Sequence, residues 1–444
     1  MGRKIGMVCL GCPKNQMNAE RMLALLEKAG FTLTDNVYTG ADAVIVNTCG
    51  FIDDAKKEAV ESILEMAELK TEGTVKKIIV TGCLAESYRA ELAQEIPEVD
   101  AVLGLGANDE IAVHVQAVLR GEKREEYPPL SCLALGGARK RGEDAGHWAY
   151  LQIADGCDNH CSYCKIPDIR GKFRSRTMEE VIDEAEGLAA QGVRELVLIA
   201  QDTTCYGLDL YGQRRLPALL RQLCAIEAIR WIRLLYCYPD EISDELIDVI
   251  VTEEKVVKYI DLPLQHIDDR VLRSMKRRGD SQGIRAVLSK LRDSIPGIAI
   301  RTTFITGFPG EDEAAFELLS AFVEEQRFAH MGVFAFSPQE GTPAYKMPGQ
   351  IDPAIAQARA QILTQQQAEI AARHQQSTEG QTLRVMVETY DTYTDSYVGR
   401  SEAEAPEIDG DVLFTSARHL QAGDVVSVAI FGMREDSLLG REEL

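Results

Sequence analysis

Apolar residues recur along this chain as short runs separated by longer stretches of helical periodicity. From Arg3 to Arg120 the runs Ile5–Leu10, Ala43–Asn47 and Lys77–Thr81 each precede a helical pattern, at Met17–Gly30, Asp53–Leu69 and Ala85–Glu95. Strand–helix alternation of this kind predicts an N-terminal parallel βαβ domain over residues 3–120. A segment rich in charge, Gly and Pro follows at 121–146, with Tyr127-Pro128-Pro129 and Gly136-Gly137, and is read as a linker.

Alternation resumes over residues 147–374. Six runs read as strands: Trp148–Ala154, Glu195–Ala200, Trp231–Cys237, Val256–Leu262, Ile298–Ile305 and His330–Phe336. Six βα units predict a partial (β/α) barrel, an α/β fold whose chemistry sits at the carboxyl ends of the strands. Residues 379–444 change character. Short runs at Thr382–Glu388, Ser396–Arg400, Asp411–Phe414 and Asp424–Phe431, broken by Asp409-Gly410 and Gly423-Asp424, predict a small β-barrel.

Composition narrows the class. No apolar stretch of about 18 residues is present, so no membrane span is expected. The N-terminus lacks the basic, apolar and small-residue sections of a signal peptide, which predicts a cytoplasmic protein. Eleven cysteines in such a chain point to metal or redox chemistry rather than a disulfide framework. The net charge of −22 argues against nucleic-acid binding and suits a basic protein partner, although acidity also serves solubility.

Two cysteine patterns carry chemistry. Cys157, Cys161 and Cys164 form CxxxCxxC directly after the first strand of the six-unit zone. Three thiolates on a four-iron cluster leave one iron open, and an open iron is where S-adenosylmethionine can chelate. A structural zinc site, which favours paired CxxC motifs and four closed ligands, is the competing reading. The spacing, with Tyr163 just before the last cysteine, resembles the radical S-adenosylmethionine superfamily. His160, inside the motif, is read as a loop side chain.

The second pattern is dispersed. Cys12, Cys49 and Cys83 stand 37 and 34 residues apart, each just after an apolar run and before a helical one. In a parallel sheet all three emerge at the same carboxyl edge, where they can hold a second cluster with an open iron. Gly11 and Gly82 let the backbone turn tightly beside it. The competing reading is three isolated core cysteines. Cys9, Cys224 and Cys237 are read as core packing; Cys132 and Cys205 are unassigned.

With both patterns present, the chain resembles the methylthiotransferase family over nearly its whole length: an N-terminal three-cysteine domain, a radical domain and a TRAM-like β-barrel. Leu10-Gly11-Cys12-Pro13-Lys14-Asn15, Gln201-Asp202-Thr203 and the Arg400–Gly410 stretch resemble the branch that modifies a ribosomal protein, not the branch that modifies tRNA. Glu404 stands where that branch often has Asp. The resemblance implies two 4Fe–4S clusters, S-adenosylmethionine and a flavodoxin- or ferredoxin-like electron donor. It also implies methylthiolation at the β-carbon of an aspartate on the twelfth protein of the small ribosomal subunit. One cluster makes the radical that removes the β-hydrogen, and the other holds the sulfur. The C-terminal zone agrees in charge, with 14 Asp and Glu against 5 Lys and Arg over residues 379–444.

By the same resemblance Gly307 and Gly310, in Gly307-Phe308-Pro309-Gly310-Glu311, lie beside S-adenosylmethionine. The segment lacks the Lys and Ser/Thr of a phosphate-binding loop. Gln265 and His266, after the fourth strand, are expected to line the cavity, His266 with a hydrogen-bonded core role as its alternative. Gln201 and Asp202 end the second strand and are candidates for polar contacts with cofactor or substrate. Arg301 is expected to face the barrel interior, contacting cofactor or pairing with a carboxylate. Two other functions compete: a tRNA adenosine methylthiotransferase, told apart by substrate assay, and a non-catalytic iron–sulfur carrier, which predicts clusters without cleavage of S-adenosylmethionine.

Overall fold

A computed structural model describes residues 2–142, 145–434 and 437–443. Residues 143–144 of the expected linker, and 435–436 and 444 of the expected C-terminal barrel, lie outside them. Each apolar run forms a strand within three residues of its expected bounds. The N-terminal sheet is entirely parallel and has six strands, in the spatial order Thr32–Thr34, Lys4–Cys9, Ala43–Thr48, Ile78–Gly82, Ala101–Leu103 and Arg124–Glu126. Helices cover both faces, giving separate cores around Val44, Val46 and Val80 and around Ile5, Ile45 and Ile79.

Three of these strands escape sequence reading because three residues cannot display a period. One of them, Arg124–Glu126, lies in the segment read as a linker and adds to the sheet as a charged edge strand. Charge on an edge strand blunts further pairing. Cys9, read as core packing, ends its strand and is exposed.

The central sheet also has six parallel strands, Trp148–Gln152, Glu195–Ile199, Trp231–Leu234, Val256–Gln265, Ala299–Thr306 and His330–Ala335. Each lies beside the next in chain order and the two ends do not pair, so the barrel is partial. Along Ala299–Thr306, Ile300 and Phe304 pack into the core that includes Leu319 and Phe322 of the helix Glu313–Gln326. The helix Met178–Ala190 shows why such helices start where they do: Thr177 and Glu180 form a reciprocal capping box. The 26-residue helix Pro353–Thr378 packs against the edge strand His330–Ala335 and runs to the C-terminal domain.

That domain is a closed barrel of five strands, Thr382–Asp391, Ser396–Ser401, Val412–Thr415, Val425–Arg434 and Ser437–Glu442. The last was not expected from sequence. Among the described residues, no helix is long and apolar enough to cross a membrane.

Both flanking domains reach the interior of the partial barrel. Met17 from one side, and Met386 and Ala405 from the other, pack with Tyr150, Val197, Trp231, Leu235 and Tyr259. The C-terminal domain adds charge to this contact. Glu195 is fully buried and binds Arg233 at 2.8 Å and Arg400 at 2.7 Å. Arg301, expected to face inward, does so and pairs with Asp409, which also lies 3.2 Å from His330 and accepts from the Tyr259 hydroxyl at 3.0 Å. Some of the barrel's acidity is therefore consumed internally.

Burial pushes the Glu195 carboxyl up, but Arg400 and Arg233 outweigh it and hold it below its usual 4.5. A carboxylate with a depressed folded value contributes stability above its unfolded value, lost as pH falls through the folded one. Arg400→Ala leaves that buried charge half-paired and is expected to cost about 3–5 kcal/mol. Urea unfolding at pH 7 measures the loss, and the difference from the unaltered chain should shrink below pH 4.5.

Candidate functional site

The segments that carry the two cysteine trios are joined through Arg170, where the N-terminal sheet faces the partial barrel. Cys12, Cys49 and Cys83 follow three adjacent parallel strands, as the spacing predicted. Cys12 is the N-cap of the helix Pro13–Lys28, and Cys83 opens the helix Cys83–Ser87. Gly11 has φ +92°, and a Cβ there would stand 2.9 Å from the Cys49 sulfur; at Gly82, φ +98°, it would stand 2.4 Å from the Thr48 carbonyl oxygen. Both glycines are required by the close approach of the loops.

Asn15 ties these loops together. Its side-chain amide donates to the carbonyls of Leu10 at 3.0 Å and Thr48 at 2.8 Å, and its carbonyl oxygen lies 3.5 Å from the Cys83 sulfur. The same oxygen accepts from Arg170 at 2.8 Å. Arg170 is buried, sits 3.7 Å from the Cys83 sulfur, and pairs with buried Asp155 at 3.2 Å. Asp155 stands two residues before Cys157 and accepts from Gln201 at 2.7 Å. One guanidinium thus joins the frames of both trios.

Charge distinguishes the N-terminal thiols. Burial pushes the Cys83 thiol up to about 12, partly opposed by Arg170, and also raises Cys49. Cys12 is lowered: burial works against ionisation there, but Lys14 and Arg170 outweigh it. Lys14 is itself buried, which brings its ammonium down to about 8, and its nitrogen lies 3.1 Å from the centre of the Tyr236 ring.

In the radical-type motif, Cys161 is buried while Cys157 and Cys164 are half-buried. Burial raises Cys157 to about 11 and Cys164 to about 12. The Cys161 sulfur lies 3.1 Å from the Tyr238 hydroxyl and 3.9 Å from Arg277, whose guanidinium covers the Tyr238 ring at 3.9 Å. Among the described residues, neither trio is closed about a single-ion position. The donors, three thiols in each case beside a buried guanidinium, suit an anionic iron–sulfur cluster.

A cavity of about 890 Å³ lies against the last two strands of the partial barrel and the helix Pro353–Thr378. Phe51 and Ile52, just beyond Cys49, form part of its wall, together with Tyr163, Gln265, Ile305 and Phe334. Gln265 holds φ +71° and Tyr236 φ +59°, both at carboxyl ends of barrel strands. Such strain in non-glycine residues clusters at functional sites. The Gln201 carbonyl oxygen is buried without a hydrogen-bond partner, a free acceptor for a polar ligand. Asp202 is buried and accepts from Asn159 at 3.0 Å, steadying the loop between Cys157 and Cys161.

The remaining candidates stand elsewhere. His266 is fully buried and absent from the cavity wall; its Nδ1 accepts from the Asp268 amide at 2.9 Å, and its Nε2 lies 3.3 Å from Glu311, without hydrogen-bond geometry. Gly307 packs onto the long helix, where a Cβ would overlap Ala356 at 2.1 Å, and the Gly310 amide donates to Gly349 at 2.9 Å. Arg301 is taken by Asp409. Sequence reading missed Asn15, Asp155, Arg170, Tyr238 and Arg277. Tyr238 carried a usable signal, its position just past the third barrel strand; Arg170 and Arg277 carried none.

Comparisons with known proteins agree with this architecture. Residues 4–104 match the family described as uncharacterized protein family UPF0004, residues 151–323 the radical SAM superfamily, and residues 380–442 the TRAM domain. The chain is 46% identical to the ribosomal protein uS12 methylthiotransferase RimO of Lachnoclostridium phytofermentans, over 99% of this chain and 100% of that one. It is 48% identical to the RimO of Desulforamulus reducens over 98% of each. The chain belongs to the RimO family of methylthiotransferases. It is a radical SAM transferase, a class that works with S-adenosylmethionine and iron–sulfur chemistry. In fold it is also similar to the radical S-adenosylmethionine methyltransferase TsrM of Kitasatospora setae, with a TM-score of 0.57 at 15% identity over 78% of this chain and 77% of that one.

Arg170→Gln strands the Asp155 carboxylate and is expected to destabilise the chain by about 3–5 kcal/mol. Arg170→Lys keeps the charge but not the fork that reaches Asp155 and Asn15 together, and should recover only part of the loss. Urea denaturation of the two variants checks the order.

Proposed function

We propose that the chain transfers a methylthio group to the β-carbon of an aspartate on ribosomal protein uS12, with one 4Fe–4S cluster on each cysteine trio. The observation that carries this reading is the cavity, walled by segments that adjoin a cysteine of each trio, Phe51 and Ile52 beyond Cys49 and Tyr163 beside Cys164. Cys157, Cys161 and Cys164 would hold the radical-forming cluster, and Cys12, Cys49 and Cys83 the sulfur-bearing one. When bound, these groups and S-adenosylmethionine supply the hydrogen-abstracting radical and the methylated sulfur.

The residues do the positioning. Tyr163, edge-to-face with Phe308 at 6.4 Å between ring centres, and Gln265 present an apolar wall with one polar group to a bound cofactor. Gln201 offers its unpartnered oxygen to the cofactor or substrate, while its nitrogen stays on Asp155. Asp202 holds the cysteine loop through Asn159. Arg277 keeps positive charge against Cys161, and Arg170 against Cys83, offsetting the burial of anionic clusters. Phe51, Ile52 and Phe334 give the cavity apolar walls that limit the water reaching a carbon radical. A flavodoxin- or ferredoxin-like donor supplies the electron, and the reaction takes place in the cytosol, where all eleven unpaired cysteines stay reduced.

Anaerobic iron and sulfide analysis should give about eight irons per chain, falling to about four in Cys12→Ala/Cys49→Ala/Cys83→Ala. That variant should still cleave S-adenosylmethionine but no longer modify uS12, as read by the mass of the protein. Methylthiolation of tRNA with uS12 untouched would overturn the assignment.

A further inference from the structure

Beside the cavity lies a second hollow, a groove of about 600 Å³ between the N-terminal and radical domains. The two adjoin across a wall one chain thick. Ser337 and Gln339 line the cavity, whereas Pro338 and Glu340, alternating with them, line the groove, and Asp53 belongs to both. The wall is pinned by Ser337 donating to Asp53 at 2.8 Å and Lys56 donating to Gln339 at 2.6 Å.

The floor of the groove is apolar. Leu84, Leu92 and Ile96 are buried in it, and Leu64 and Tyr345 keep 47% and 45% of their surface exposed. The rim is acidic: Glu91, Glu95 and Glu340 are exposed and, among the described residues, have no basic partner. The nearby cations are occupied or offset. Lys56 binds Asp53 and Arg89 binds Glu86, while Lys165 stands 5.7 Å from the Tyr88 ring centre. The walls come from the helix Asp53–Thr71, which follows Cys49, and from Cys83–Ser87, which begins at Cys83. A chain seated there is registered against the strand ends that present two of the N-terminal thiols.

We propose that this groove docks a lysine- and arginine-rich segment of uS12, placing the neighbouring aspartate through the cavity mouth. The inference rests on the substrate assigned above. Ribosomal proteins carry basic side chains to neutralise RNA phosphates, and an unpaired carboxylate rim attracts that charge. The same rim repels a polynucleotide, so it also selects protein over tRNA. The apolar floor buries the aliphatic stems of the basic side chains while their charged ends meet the rim.

The test compares steady-state methylthiolation of isolated uS12 by the holoenzyme and by Glu91→Lys/Glu95→Lys/Glu340→Lys, with 5′-deoxyadenosine formation in the absence of uS12 measured alongside. All three positions are exposed. The reversal should raise KM for uS12 at least tenfold and flatten its salt dependence, leaving substrate-free cleavage of S-adenosylmethionine unchanged. Glu91→Gln/Glu95→Gln/Glu340→Gln should give a smaller rise, and Leu64→Ser/Tyr345→Ser a rise without the change in salt dependence. A KM for uS12 unmoved by both glutamate variants overturns the groove while the substrate assignment stands. Turnover of tRNA alone by the unaltered enzyme overturns the assignment and the groove with it.

Discussion

The structure turns on one buried ion pair. Arg170 belongs to the radical domain, yet it reaches Asn15 and Cys83 of the N-terminal domain while holding Asp155 beside the radical-type motif. A buried guanidinium is tolerated only when its charge and its donors are satisfied. Asp155, Asn15 and the thiol of Cys83 satisfy it, and in doing so they tie the loops of the two trios to one another. Asn15 extends the constraint to the loops of Cys12 and Cys49 through Leu10 and Thr48. The relative placement of the trios is thus a matter of packing and charge, not of a flexible linker.

The same economy appears at the opposite end of the barrel. Six parallel strands leave the barrel open, and an open interior would expose Trp231, Tyr259 and Leu235 to water. The C-terminal domain fills that space with Met386 and Ala405 and neutralises it through Arg400 on Glu195 and Asp409 on Arg301. This domain is therefore a structural stopper for the catalytic fold, whatever else its outer surface does. Its acidity divides accordingly: Asp409, Glu388 and buried Glu442 serve ion pairs with Arg301, Arg400 and Arg418 in turn.

At the site, the residues legible in the sequence are those where a residue type recurs at a set place in a repeating unit. CxxxCxxC is contiguous, and Cys12, Cys49 and Cys83 repeat one strand–cysteine–helix context. Residues chosen on strand-end position or resemblance are placed apart from one another. Gln265 and Tyr163 do line the cavity, but His266, one residue on, turns away into the core beside Glu311. Adjacent residues at a strand end point to opposite sides, and a one-residue step decides between cavity and core. Gly307 and Gly310 stand against Ala356 and Gly349, a packing reason that sequence does not display.

What the sequence by itself determined was local and periodic: the parallel sheets, the order of three domains, the six thiols and the acidic character of the chain. These follow from hydrophobic period, turn chemistry and spacing, all of which act within one βα unit. The tertiary structure alone decided which charges met. Arg170 finds Asn15 from 155 positions away, Arg400 finds Glu195 from 205, and Arg301 finds Asp409 from 108. A long flexible cation carries no periodic signal, and its partner is chosen only when two separately folded surfaces exclude the water between them.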